Sequence, residues 1–189
     1  ETAAIVHTAA ASNLGQMLNR LCQADGIPLV NVVRRNEQAD LLRAAGADHV
    51  VVSSADSFAD DLTAAITATG ATIAFDAIGG GEQVDTLLAS MEKASSAGQA
   101  FSRYGSDTHK QVYIYGGLDR SATTLRRTYG MSWGVGGWLL TPFLGRVGFE
   151  RMAELQARVA AEITTTFASG YGDTISLDDM LDPAVAKAY

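Results

Sequence analysis

The sequence predicts an α/β protein built on a doubly wound parallel sheet with helices on both faces. Three observations lead there. Apolar runs of three to five residues, rich in β-branched and aromatic side chains, recur through residues 1–120. A turn and then a stretch with apolar residues at helical spacing follow most of them. Glycines gather just beyond several of the runs. Strands that are short and uniformly apolar suit a sheet covered on both faces, and their alternation with helices implies right-handed βαβ crossovers.

The elements follow in order. Residues 3–6 form the first predicted strand, and Leu14, Met17, Leu18, Leu21 and Cys22 then trace one face of a helix. Residues 29–33 form the second strand. Asn36 is the expected cap of a helix over residues 37–45, with Gly46 as its stop. Residues 50–52 are the third strand, and Phe58, Leu62, Ala65 and Ile66 mark the next helix. Residues 73–75 precede a helix carried by Val84, Leu87, Leu88 and Met91. The small, polar residues 94–98 read as a loop, and residues 112–115 as the fifth strand. Beyond residue 120 the rhythm changes. Residues 124–140 read as one or two extended strands, and 149–167 as one long helix with Met152, Leu155, Val159 and Ile163 on one side. The tail carries Gly170, Gly172 and Pro183, with a short helix expected at 176–181.

Composition narrows the function classes. Apolar residues make up 47% and charged residues 19% of 189, enough for a core. A net charge of −7 argues against a nucleic-acid partner, which needs a basic face. One cysteine, Cys22, permits neither an internal disulfide nor a cysteine-rich zinc site. No apolar run approaches the roughly 20 residues of a membrane span, and no signal-peptide pattern stands at the start. These features lead us to expect a cytoplasmic protein with no membrane partner.

The first strand-to-helix turn is the most informative segment. In a doubly wound sheet this turn seats a dinucleotide pyrophosphate on the free N–H groups of a helix N-terminus. The GxGxxG spacing falls here on Ala10, Ser12 and Gly15. Alanine and serine are small enough for close backbone approach, and Ser12 either caps the helix or donates to a phosphate oxygen. With Asn13 and Leu14 these residues form the candidate pyrophosphate site. Tight packing alone is the other reading of the same residues.

At the end of the second strand stand Arg34 and Arg35, with no carboxylate before Glu37. A carboxylate there would accept from a ribose hydroxyl; two arginines suit a 2′-phosphate and favour NADPH over NADH. The alternative is a pair of solvated helix-start residues. Ile78 and Gly79, in the turn after the fourth strand, and Tyr115, Gly116 and Gly117, after the fifth, lie on the ligand edge of such a sheet. Each cluster alone also serves as structural punctuation.

Other groups point to no chemistry. His7, His49 and His109 are too scattered for an obvious metal site, and Cys22 reads as a buried structural thiol. Asp60-Asp61 and Asp178-Asp179 read as solvated helix faces. Neither Tyr104 nor Tyr115 has a geometric reason to be a proton donor, so no catalytic residue is named. Trp133, Val135, Trp138, Leu139 and Leu140 form an apolar patch, either a covered core strand or an oligomer interface.

Three strings, VHTAAASNLGQML, GADHVV at 46–51 and FDAIGGG, occur in that order. Together they resemble the cofactor domain of medium-chain dehydrogenases/reductases. Within that superfamily the sequence is most similar to zinc-independent quinone oxidoreductases and 2-enoyl thioester reductases. Those proteins show a VHAAAGGVG-like turn, a GADHVI-like third strand and a D-x-VGG-like turn. The match runs from Ala4 to Gly117 and is looser to Ile163. The first turn departs from it, with TAAASNLG in place of a Gly-Gly pair and one more residue between His7 and Gly15.

The resemblance implies an NAD(P)-binding Rossmann domain over residues 1–163, binding NADPH for hydride transfer to a quinone or an activated double bond. It also implies a GroES-like N-terminal catalytic domain, absent from this sequence, to which residues 164–189 return. Pairing of two copies through residues 129–140 is implied as well. Two alternatives are a nucleotide-sensing domain without catalysis and the cofactor domain of a zinc-dependent alcohol dehydrogenase.

Overall fold

The computed structural model describes residues 4–170 and 174–188. In chain order the elements are β1 (Ile5–His7), α1 (Asn13–Asp25), β2 (Leu29–Val33), α2 (Asn36–Ala44), β3 (His49–Val52), α3 (Phe58–Thr69), β4 (Ile73–Asp76) and β5 (Gly79–Gly81). There follow α4 (Gln83–Ser96), β6 (Lys110–Ile114), β7 (Asp119–Thr123), β8 (Trp133–Gly137), α5 (Leu140–Ala161) and α6 (Pro183–Ala188). Six strands form one sheet in the order β3-β2-β1-β4-β6-β8, every neighbouring pair parallel. The chain winds outward from β1 to β3 and then crosses back to β4. β1 and β4 are therefore neighbours whose connections leave in opposite directions, and such a reversal opens a crevice at the C-terminal ends of the strands.

Burial on both faces explains why the strands read as unbroken apolar runs. All five residues of β2 are buried. On one face Val6, Val30, Ala74 and Val112 lie against Leu62, Ile66, Leu87, Leu88 and Met91 of α3 and α4. On the other, Ala10 and Val33 meet Ala39 and Leu42 of α2. Each large side chain buried this way contributes about 1.5–3 kcal/mol.

Several expectations are corrected. α4 continues to Ser96 through the expected loop, because Ala94 lies on the core and Ser96 Oγ donates to Glu92 Oε1 at 2.7 Å. Asn36 is the first residue of α2 and not its cap: the Gln38 side chain reaches back to accept from the N–H groups of Arg34 (3.0 Å) and Arg35 (3.1 Å). Gly46, with φ of 82°, does end this helix, donating to Arg43 O. α1 turns Gly15, Asn19 and Cys22 to the sheet, and Leu14 is 55% exposed. Asn19, and not a leucine, sits at the middle of this buried line, where it accepts from Asn31 of β2.

The long helix spans Leu140–Ala161 where 149–167 was expected, broken at Gly148, whose φ of 83° is non-helical. It ends early because residues 162–168 turn back. Arg20 of α1 holds them through the carbonyls of Thr166 (2.9 Å) and Ala168 (2.6 Å), and Arg158 clasps Asp25 at 2.6 and 2.8 Å. Of the extended segment 124–140 only β8 is a strand; Trp133 and Val135 rest on the core, whereas Leu139 and Leu140 are exposed. The glycines 79–81 form β5, paired parallel to β7, where only a turn was expected. In the tail a 3-10 turn (Asp179–Leu181) replaces the expected helix, α6 follows it, and Gly172 lies outside the described residues. At the opposite edge of the sheet, Lys110 is buried in an ion pair with Glu92, and Ser106 bonds to both. Burial opposes ionisation of Glu92, but Lys110, Ser96 and Ser106 outweigh it and hold its pKa at about 2.

Candidate functional site: the cleft at the strand ends

A cleft of about 690 Å³ opens at the C-terminal ends of β1, β2, β3 and β4. Its size suits a small-molecule site. Thr8, Ala9, Ala11 and Ser12 line it from the first turn, Arg34, Gln38, Ser53 and Ser54 from the β2 and β3 side, and Ile78, Gln83, Leu118 and Asp119 from the β4 and β6 side.

The first turn is drawn tight. Ala10 is fully buried, and its N–H donates to Val32 O at 3.1 Å, so this residue anchors the turn to β2 and does not face a ligand with its amide. A β-carbon on Gly15 would stand 2.7 Å from Ala10 Cα, a distance that only glycine accommodates. Ser12 is the N-cap of α1, and its Oγ accepts from Gly15 N at 3.1 Å. The N–H groups of Asn13 and Leu14 have no partner among the described residues. They stand at the positive end of the helix dipole, where an anion is favoured. Ala9 takes φ of 51°, a left-handed conformation rare for a residue with a β-carbon.

Asp76 fixes the second turn to the first. Its buried carboxylate accepts from Thr8 Oγ1 (2.6 Å), Ile78 N (3.2 Å) and Gly79 N (2.8 Å), and Thr8 Oγ1 accepts in turn from Ala77 N (2.8 Å). Ile78 is thereby held on the cleft wall. Gly79 and Gly116 lie beneath, one against the other: a β-carbon on Gly79 would come within 2.9 Å of Gly116 O, and one on Gly116 within 2.6 Å of Ala77 O. Gly117 has open space around it.

The two arginines part company. Arg34 lines the cleft, with its backbone held between Gln38 and the Ser54 hydroxyl (2.7 Å to Arg34 O). Its guanidinium has no carboxylate partner among the described residues. Arg35 is exposed at the start of α2 and does not line the cleft. Tyr115 follows β6 and borders a separate cavity of about 270 Å³ with Trp138, Leu139 and Arg146. Its hydroxyl lies 2.6 Å from His7 Nε2, the two rings stacked 5.7 Å apart. Burial pushes His7 down to about 4 and raises Tyr115, so both are neutral near pH 7. Burial, with Asp25 nearby, pushes the Cys22 thiol up to about 11, which leaves it unreactive.

Sequence reasoning missed Thr8, Gln38, Ser53, Ser54, Gln83, Leu118 and Asp119 as cleft residues. The exposed strand that Asp119 opens gave no signal; Thr8 and Asp76 were signalled only as neighbours of the motifs. Among the described residues no three His, Cys, Asp or Glu side chains stand close enough to hold a metal ion.

Residues 14–101 match the family model described as zinc-binding dehydrogenase. The described residues offer no ligand set for zinc. No curated protein sequence matches the chain. Among solved structures the chain is similar to a candidate NADPH:quinone reductase from Mesorhizobium loti, with TM-score 0.69 and 24% identity over 99% of this chain and 50% of that one. It is also similar to the mitochondrial 2-enoyl thioester reductase heterodimer from Candida tropicalis, with TM-score 0.64 and 14% identity over 99% of this chain and 52% of that one. A structure from the same group, described as a complex with NADP and crotonyl-CoA, gives TM-score 0.65 and 14% identity over 98% and 49%. The chain thus spans about half the length of the structures it matches. At these identities the structures show the fold. A little under half of the chain lies within that family model, and the solved structures share the parallel-sheet fold around it.

Proposed function

We propose that this chain is the NADPH-binding domain of a reductase whose catalytic domain, GroES-like and outside this chain, completes the substrate site. One juxtaposition supports the reading: Ser12, at the start of α1, and Arg34, with no carboxylate partner among the described residues, line one cleft at the switch point of the sheet, and the unpartnered amides of Asn13 and Leu14 follow directly on Ser12. NADPH bound there would supply a hydride to a quinone or an activated double bond.

The chain's own residues bind and orient. Asn13 and Leu14 hold the pyrophosphate on their N–H groups, Ala10 and Gly15 let the backbone come close, and Ser12 fixes the helix start. Arg34, with Arg35 beside it, holds the adenosine 2′-phosphate and so selects NADPH over NADH. Ile78 lines the facing wall, on the way to the nicotinamide end. Gly79, Gly116 and Gly117, with Tyr115 at their flank, shape the nicotinamide end. In the same reading residues 1–163 are the binding domain, 164–189 lead back to the catalytic domain, and the protein works in the cytoplasm. The free edge of β8, within 129–140, pairs with a second copy.

Calorimetric titration of the chain with NADPH and NADH tests the reading. NADPH is expected to bind at least about tenfold tighter, the value of one bidentate charge-assisted contact. Equal or tighter NADH binding removes the role given to Arg34 and Arg35. Binding of neither removes the function.

A further inference from the structure

Resting on the dinucleotide reading above, we infer that Asp119 recognises the unphosphorylated ribose of the cofactor, accepting hydrogen bonds from its hydroxyls, and so fixes which way round the dinucleotide lies. Asp119 lies on the cleft wall across from Arg34. It is placed there by the small sheet that sequence reasoning did not foresee: it opens β7 and is the register partner of Gly79 in β5, with its N–H donated to Ile78 O at 2.9 Å. Thr123 Oγ1 donates to Gly79 O at 2.7 Å and Thr124 N to Gly81 O at 2.8 Å, which ties down the far end of the strand.

The carboxylate reaches over the glycines of β5. A β-carbon on Gly80 would meet Asp119 Cγ at 2.8 Å, and one on Gly81 would meet Oδ2 at 3.3 Å. Gly80 and Gly81 leave the room that this side chain occupies. One oxygen, Oδ1, accepts from Ser121 N at 2.8 Å. The Ser121 N–H, and then its hydroxyl, hold the Asp119 pKa below the ordinary carboxylate value, so the group is charged at neutral pH. A carboxylate has acceptor sites for about four hydrogen bonds and none to donate, so capacity remains for a ligand. No basic side chain pairs with it among the described residues.

An acceptor-only anion on a binding wall calls for a donor and repels phosphate. The two walls of the cleft therefore differ in sign: Arg34 on the β2 side, Asp119 on the β4 and β6 side, with the α1 N-terminus between them. A dinucleotide with its phosphorylated ribose at Arg34 and its pyrophosphate at Asn13 and Leu14 runs toward β4 and β6 with its second ribose. That ribose carries two neighbouring hydroxyls, donors that match the carboxylate. In the reverse orientation the 2′-phosphate would face Asp119.

The test compares two ligands by calorimetry on the intact chain: NADPH, and adenosine 2′,5′-bisphosphate, which ends before the second ribose. Asp119→Ala is expected to weaken NADPH about tenfold, as for the loss of a hydrogen bond to a charged group, and to leave the bisphosphate within twofold. Asp119→Asn, which keeps an acceptor for Ser121 N, is expected to show the same pattern at smaller size. A thermal melt shows that each variant is folded. NADPH binding unchanged in both variants, or both ligands weakened alike, overturns the inference while leaving the dinucleotide reading in place. Wild-type protein that binds neither ligand overturns both.

Discussion

The Thr8 hydroxyl donates to Asp76 Oδ1 at 2.6 Å, across a separation of 68 residues, and joins the turns that follow β1 and β4. Because Asp76 also accepts from Ile78 N and Gly79 N, the pair sets the shape of the cleft at the point where the winding of the sheet reverses. Thr8→Val removes the donor, leaves Ala77 N without its acceptor, and is expected to lower stability by about 1–3 kcal/mol. Urea denaturation measures it, and a change below about 0.5 kcal/mol would show that the bond is dispensable.

Arg34 and Arg35 are neighbours in sequence with different surroundings. Arg34→Ala is expected to weaken NADPH by about tenfold or more and NADH by less than twofold. Arg35→Ala is expected to change NADPH by a smaller factor, since Arg35 stands off the cleft. Titration of both variants decides it; equal losses would mean that the two side chains share the phosphate.

Ala9 holds φ of 51°, which strains a residue with a β-carbon. Ala9→Gly is expected to relieve about 1 kcal/mol of that strain, less the larger chain entropy that glycine recovers on unfolding. The net change, read from the denaturation midpoint, is expected to be small and stabilising. A clear loss of stability would show that the β-carbon makes a contact worth more than the strain.

His7 gives stability a pH dependence. Its pKa falls from 6.5 to about 4 on burial, so the unfolded chain binds the extra proton between those values. Its contribution is therefore complete above pH 6.5 and is lost as pH falls toward 4, amounting to about 2 kcal/mol between pH 7 and pH 5. Glu92, with its pKa of about 2 against 4.5, acts in a lower window: its contribution is present above pH 4.5 and is lost as pH falls toward 2. His7→Phe is expected to flatten the stability profile between pH 7 and pH 5 and to leave the lower window unchanged. A wild-type profile already flat from pH 7 to pH 5 would contradict the burial of His7.

What was legible followed from burial. Strands covered on both faces, such as β2, are uniformly apolar, and their positions were plain from residues 29–33 onward. Arg34 and Ser12 were legible because strand ends and helix starts place them on the ligand edge. β5 and β7 were not: Gly79–Gly81 has no side chains to pattern, and Asp119–Thr123 is exposed along its whole length. Nor did sequence separate Arg34 from Arg35: Gln38 bonds to the N–H of both, and the Ser54 hydroxyl, from beyond β3, bonds only to Arg34 O. Leu14 looked like core and is exposed: the buried face of α1 is made of Gly15, Asn19 and Cys22, with Asn19 bonded to Asn31 of β2.

α1 is fastened at both ends. Gly15 seats its start against Ala10, and at its finish Asp25 is clasped by Arg158 while Arg20 grips the carbonyls of Thr166 and Ala168. Thirteen helical residues make a strut about 20 Å long. The helix thus joins the rim of the cleft, at its start, to the stretch of chain leading away from α5, at its finish.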